Sequence, residues 1–245
     1  MNDKVNIINV SIIMTERCNL ACEHCARYEP DDDMSMYTHD ITKETIDAFF
    51  ENVGLIMVLN LSGGEPLLNI EMVEYIIDKI VAEDIDVCAL DIITNGTILD
   101  ERVVKMFAKI APHIKKKRKK YNIENSKTAI VGLGVSGIYH NTDAQKAIDY
   151  YTEQFAGYED INVLQTPHSP TEVLYAGRAK KMNNVSQQHV YTPRHRVKYV
   201  NGSENKAIEC SIHLSTNGDI VMGNCSFYDH KKHSMGNVHE KALRQ

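Results

Sequence analysis

Apolar and polar positions along this chain follow two alternating periods. Residues 9–15, 55–61, 87–94, 129–135 and 161–165 form short, nearly continuous aliphatic runs, as strands of a parallel sheet covered on both faces do. Between them, 42–52, 69–83, 100–110 and 142–155 place apolar residues three and four apart, which predicts amphipathic helices. Strand and helix in regular alternation specify a parallel sheet with crossover helices. Thr42 and Asp100 stand where N-caps belong, with Thr45 and Asp47 in the first turns after Thr42. The regularity ends near Gln165. Residues 185–205 are polar and irregular, and then 208–213 and 219–222 flank Thr216-Asn217-Gly218, a hairpin signature.

Composition narrows the class. The chain has 245 residues, 43% hydrophobic, with a formal net charge of −6 and no apolar run long enough to span a bilayer, so one large core plus an appendage is expected, with no membrane partner. Asp3, Asn6 and Asn9 interrupt the first segment, which lacks the pattern of a secretory signal, and a cytoplasmic location is expected. Mild acidity argues against nucleic acid as a partner. The run Lys115-Lys116-Lys117-Arg118-Lys119-Lys120 can touch phosphates, but a solvated connection between helix and strand is the expected reading.

Chemistry concentrates in Cys18-Asn19-Leu20-Ala21-Cys22-Glu23-His24-Cys25, directly after the first strand. Three thiolates on one short loop can hold one face of an iron–sulfur cube and leave the fourth iron open to a small molecule. A zinc site completed by His24, a disulfide fragment and reduced core thiols are the alternatives. A cytoplasmic chain disfavours disulfides, and closed zinc sites are usually built from paired C-x2-C units. The cluster is the favoured reading.

The C-x3-C-x2-C spacing resembles the radical S-adenosylmethionine (SAM) superfamily. That resemblance implies a partial (β/α)6 TIM-like barrel over residues 1–180, with a site at the carboxyl ends of the strands. It also implies a [4Fe-4S] cluster on Cys18, Cys22 and Cys25, reductive cleavage of SAM to a 5′-deoxyadenosyl radical, and a flavodoxin- or ferredoxin-type reductant. Ser62-Gly63-Gly64-Glu65-Pro66 ends the second strand, where the resemblance assigns Gly63, Gly64 and Glu65 to the methionyl amine of SAM; alone, a glycine pair before proline is a turn. Thr94-Asn95-Gly96 and Ser136 end the next strands, and the resemblance carries Asn95 and Ser136 to the ribose and carboxylate of SAM. Asn-Gly is also a turn signal by itself. Gly137 follows Ser136 where relatives continue with Asp-Gly.

Gly177-Arg178-Ala179 and the segment from Cys210 to Cys225 resemble the SPASM/twitch peptide-modifying branch, so 181–245 is expected to be a short twitch-like extension. Arg178 suits a carboxylate, although a surface arginine is the common case. Cys210 and Cys225 cannot complete a four-ligand cluster by themselves. They either hold a second iron–sulfur cluster with His213, His230 or His233, or are a relic, or one donates hydrogen to a substrate radical; an inert buried thiol is the bland alternative. Cys88, within an apolar strand, is read as core. His168 is the most site-like of the other histidines. The expected substrate is a ribosomally made peptide, undergoing epimerisation or cross-linking. A small molecule or nucleotide is the second reading, and a non-catalytic iron–sulfur carrier or zinc regulator the third.

Overall fold

The computed structural model describes residues 4–25, 27–29, 31–125, 129–136, 144–166, 177–182, 197–199, 206–222 and 234–240. Strands and helices alternate in chain order: β1 (Val5–Ile13), α1 (Lys43–Asn52), β2 (Val53–Ser62), α2 (Ile70–Ala82), β3 (Asp86–Val87), β4 (Leu90–Thr94), α3 (Glu101–Lys120), β5 (Val131–Ser136), α4 (Ala144–Gln154) and β6 (Ile161–Thr166). Then come β7 (Val197–Tyr199), β8 (Lys206–Leu214), β9 (Asp219–Met222) and β10 (Ser234–Asn237). One sheet carries them in the order β10-β9-β8-β1-β2-β4-β5-β6, with β3 on β2 and β7 on β8. Every pairing from β8 through β1, β2, β4 and β5 to β6 is parallel. This is a mixed α/β fold with a mostly parallel sheet, matching a partial barrel.

The caps lie where the sequence places them. Thr42 Oγ1 accepts from the Thr45 N–H, and Asp100 Oδ1 accepts from the Arg102 N–H at 2.8 Å. Alternate strand residues (Leu59 and Leu61, Leu90 and Ile92, Val131 and Leu133) join Phe49, Ile76, Phe107 and Ala147 from the four helices in one core. The intervening positions face the other way. Ser11, Asn60, Asp91, Gly132 and Asn162 are successive register partners, a polar row across the side of the sheet opposite the helices.

Two expectations change. The third helix does not stop at Ile110: it runs through Pro112 to Lys120, so the basic run is its last two turns rather than a solvated connection. Lys117 is 2% exposed and pairs with Asp84 and Asp86, while Arg118 donates to the Cys88 and Ala129 carbonyls. Burial of Ile114, Lys117 and Arg118 extends the helix past the proline. The C-terminal hairpin forms as expected, with Ile212 opposite Met222 and Leu214 opposite Ile220, and Gly218 at φ +90 in its turn. Its first strand lies beside β1, Ile7 against Ile208 and Ser11 against His213, so the sheet continues directly into the C-terminal segment.

Candidate active site

The cysteine loop is stapled at both ends. Thr15 forms a bridge with Asp40, and its hydroxyl donates to Asp40 Oδ1 at 2.5 Å. Arg17 grips both oxygens of the same carboxylate, Nε to Oδ1 at 2.9 Å and Nη2 to Oδ2 at 2.6 Å. Tyr28, fully buried, donates to the Glu16 carbonyl at 2.6 Å. These contacts set the loop across the carboxyl ends of β1, β2 and β4, where parallel barrels keep their chemistry.

Cys18, Cys22 and Cys25 are half-buried. Burial pushes Cys22 up to about 11, and the neighbouring charges of Cys18 and Cys25 add to the rise. Burial likewise raises Cys18, with Glu65 and Cys25 contributing. Cys18 and Cys22 each feel neighbouring thiols of the triplet, which places the three sulfurs in one neighbourhood. Among the described residues no group of three or more His, Cys, Asp or Glu is arranged around a single metal ion. A cube spreads its ligands over several irons and needs no such closure, so a three-thiol donor set on one loop fits a cluster with an open iron. Metal binding would displace the protons that burial favours on Cys18 and Cys22.

Glycines let the second strand end approach the loop. A Cβ on Gly64 would lie 2.1 Å from the Arg17 carbonyl oxygen and 2.5 Å from the Tyr28 hydroxyl; on Gly63, at φ +152, it would lie 2.6 Å from the Thr15 oxygen. The close approach is therefore to the chain's own backbone. Gly64 N and Glu65 N donate to the Thr15 and Arg17 carbonyls, both at 2.9 Å.

Glu65 differs from the expectation of a carboxylate open to an amine. It is 0% exposed, and its oxygens accept from Thr94 Oγ1 at 2.8 Å, Leu67 N at 3.1 Å and Asn95 N at 2.7 Å. Burial raises its pKa against these three donors. Those partners make it a tie between the ends of β2 and β4. Asn95, 5% exposed, sits beside the first cysteine: its Nδ2 lies 3.9 Å from Cys18 Sγ and 2.9 Å from Asn19 Oδ1. Ser136 ends β5, half-buried, with Thr166 beside it in register.

Arg178 reaches the loop from the far end of the chain. Its guanidinium lies 5.5 Å from the centre of the Tyr28 ring, and its charge lowers the Cys22 pKa against the larger effect of burial. Its Nη1 is buried with no hydrogen-bond partner among the described residues. Cys210 falls in β8; Cys225, His168, His230 and His233 lie outside the described residues. Cys88 is buried beside Leu55, its thiol pushed up to about 12 by burial, consistent with a core residue.

Sequence reading missed Arg17, Tyr28 and Asp91. Arg17 and Tyr28 flank the triplet, but nothing in their spacing marks a staple. Asp91 lies inside an apolar strand, and that interruption was the available signal. Its carboxylate stands over Gly132, where a Cβ would be 2.1 Å from Oδ1, and burial pushes its pKa up to about 6.

Residues 12–115 match the family model described as the Radical SAM superfamily. A "Probable GTP 3′,8-cyclase" of Methanothermobacter marburgensis is 34% identical over 108 residues, 43% of this chain and 33% of that protein. An uncharacterised protein of Methanocaldococcus jannaschii is 33% identical over 95 residues, 38% of this chain and 32% of its own length. The matched stretch thus spans about a third of these curated relatives. The fold is similar to BtrN in complex with AdoMet and 2-DOIA, with TM-score 0.54, 16% identity, and 99% of this chain against 82% of that one. It is equally similar to anSMEcpe with bound AdoMet and Cp18Cys peptide, with TM-score 0.54, 16% identity, and 97% of this chain against 79% of that one.

Proposed function

We propose that the protein is a radical SAM enzyme whose strand-end site holds a [4Fe-4S] cluster on Cys18, Cys22 and Cys25, with SAM on the open iron. The observation that carries this reading is the placing of the three-cysteine loop at the strand ends, with Cys25 N donating to the Cys22 carbonyl at 3.2 Å and Cys18 Sγ 3.9 Å from Asn95 at the end of β4, within a segment matching the superfamily. A cluster held there would supply the electron for reductive cleavage of SAM, the chemistry that would start hydrogen abstraction from a substrate.

The chain's own residues bind and orient. Gly63 and Gly64 seat the second strand end against Thr15 and Arg17, leaving the turn's backbone as the surface that meets the methionyl end of SAM. Glu65 holds that turn to Thr94 and Asn95 as a positioning residue. Arg178, beside the Tyr28 ring, has a buried Nη1 without a partner among the described residues and can take a carboxylate, and the Ser136 hydroxyl stands at the end of β5.

The substrate we favour is a peptide, with Cys210 and Cys225 as hydrogen donor or auxiliary-cluster ligands. Support comes from the hairpin strand β8 lying against β1, which puts the Cys210 backbone in the sheet between residues paired with Ile7 and Asn9. A small molecule or nucleotide is the second reading, favoured by the likeness to a probable GTP 3′,8-cyclase. The basic run does not add to it, because Lys117 and Arg118 are buried in ion pairs and backbone contacts. No helix among the described residues is long and apolar enough to cross a membrane, and we place the enzyme in the cytoplasm with a flavodoxin- or ferredoxin-type reductant.

The test is anaerobic. Reconstituted protein with SAM and dithionite should form 5′-deoxyadenosine by mass spectrometry, and a Cys18/Cys22/Cys25→Ala variant should not. Iron bound by the wild type without SAM cleavage would leave an electron carrier or structural site.

A further inference from the structure

We propose that the Asn95 side-chain amide donates a hydrogen bond to the Cys18 thiolate and so sets the reduction potential of the cluster, rather than contacting SAM. The proposal rests on the cluster assignment above. Its geometry starts from Glu65, whose Oε2 accepts the Asn95 backbone N–H at 2.7 Å and fixes the residue's place at the end of β4. The orientation of the amide then follows from its other neighbours. Asn95 Oδ1 accepts from the Thr97 N–H at 3.0 Å and from Thr97 Oγ1 at 2.6 Å. A backbone N–H can only donate, so this side of the amide is the oxygen and the other is the NH2 group.

That NH2 group has two donors, and among the described residues it donates to Asn19 Oδ1 at 2.9 Å and to Cys18 Sγ at 3.9 Å. Asn19 is itself fixed, because its Nδ2 donates to Thr97 Oγ1 at 2.8 Å. Asn95, Asn19 and Thr97 therefore close a ring of hydrogen bonds over the first turn of the cysteine loop, and the remaining amide hydrogen faces sulfur. Ligation would make Cys18 an ionised acceptor. Ionised acceptors draw donors closer, so ligation of Cys18 should strengthen this contact. Hydrogen bonds to ligating sulfurs stabilise the more negative, reduced cluster and raise its potential.

The experiment compares full-length wild type with Asn95→Leu, Asn95→Asp and Thr97→Val after reconstitution, measuring iron and sulfide content and the midpoint potential by EPR-monitored titration without SAM. Asn95→Leu removes the donor. Asn95→Asp also removes it but keeps an acceptor for Thr97, which guards against a variant that fails to fold. Both should load iron and show a reduced-to-oxidised ratio about 3- to 10-fold lower at the wild-type midpoint, the equilibrium effect of one hydrogen bond. The aspartate should shift further because it adds negative charge, and Thr97→Val, which keeps the backbone N–H to Asn95 Oδ1 but loses the hydroxyl, should shift the potential in the same direction by less than Asn95→Leu. Unchanged potentials in loaded Asn95 variants, with weakened SAM binding instead, would overturn the proposal and return Asn95 to SAM. A wild type that assembles no [4Fe-4S] cluster would count against the function proposed above.

Discussion

The Arg178 backbone N–H donates to the Cys25 carbonyl at 2.9 Å and to the Tyr28 carbonyl at 2.7 Å, tying a residue from the C-terminal side of the barrel to the outer end of the cysteine loop. Gly177, at φ +51, makes the turn that permits it. The backbone fixes the residue and the side chain remains available. Arg178→Gln should therefore leave iron loading unchanged while lowering 5′-deoxyadenosine formation at limiting SAM by about 10- to 100-fold, as for a lost charge-assisted hydrogen bond. Arg178→Lys should recover only part, since an ammonium cannot reproduce the guanidinium fork. Wild-type turnover in the glutamine variant would remove Arg178 from the cofactor site.

Glu65 should behave as a stability residue first. Glu65→Ala leaves Thr94 Oγ1, Asn95 N and Leu67 N without their buried acceptor, which should cost about 3 kcal/mol or more in urea unfolding followed by circular dichroism. Glu65→Gln keeps the shape but turns a donor toward at least one donor, and should cost about 1–3 kcal/mol. A glutamine variant as stable as wild type that nonetheless fails to bind SAM would restore the carboxylate as a direct amine acceptor.

The order of strands and helices was legible because parallel strands buried on both faces leave unbroken apolar runs, and caps such as Thr42 and Asp100 are local. Boundaries were less so. Pro112 signals a stop, yet helix α3 continues because Lys117 finds Asp84 and Asp86, residues some thirty positions away that no local pattern connects. The cysteine triplet and the glycine pair were visible as motifs. What the glycines approach, and what Glu65 binds, depend on how three strand ends meet, and that is a tertiary property.

Lys117 follows from the same burial. Lys117→Met should destabilise by about 3–5 kcal/mol, the cost of breaking a buried pair on one side, because Asp86 keeps its charge with one cation fewer. Lys119→Ala, at an exposed position of the same helix, should change stability by less than about 0.5 kcal/mol. Equal, small effects in thermal unfolding would mean that the run is a solvated face after all.

Asp91 gives a pH signature. Its carboxyl makes no hydrogen bond or ion pair among the described residues, and burial holds its pKa at about 6, against about 3.9 for the unfolded chain. Between those values the folded state binds more protons than the unfolded one, so this group lowers stability as pH rises from about 4 through 6. The full cost above pH 6 is at most about 3 kcal/mol, and less because the side chain is only partly buried. Asp91→Asn should accordingly unfold at higher urea than wild type at pH 8 and at nearly the same urea at pH 4. Gly132→Ala should cost about 1–3 kcal/mol, because its methyl group would enter the space Asp91 Oδ1 occupies. In the Asp91→Ala background the same substitution should be close to neutral, a coupling that a double-mutant cycle reads directly. Additive effects would place the carboxylate away from Gly132.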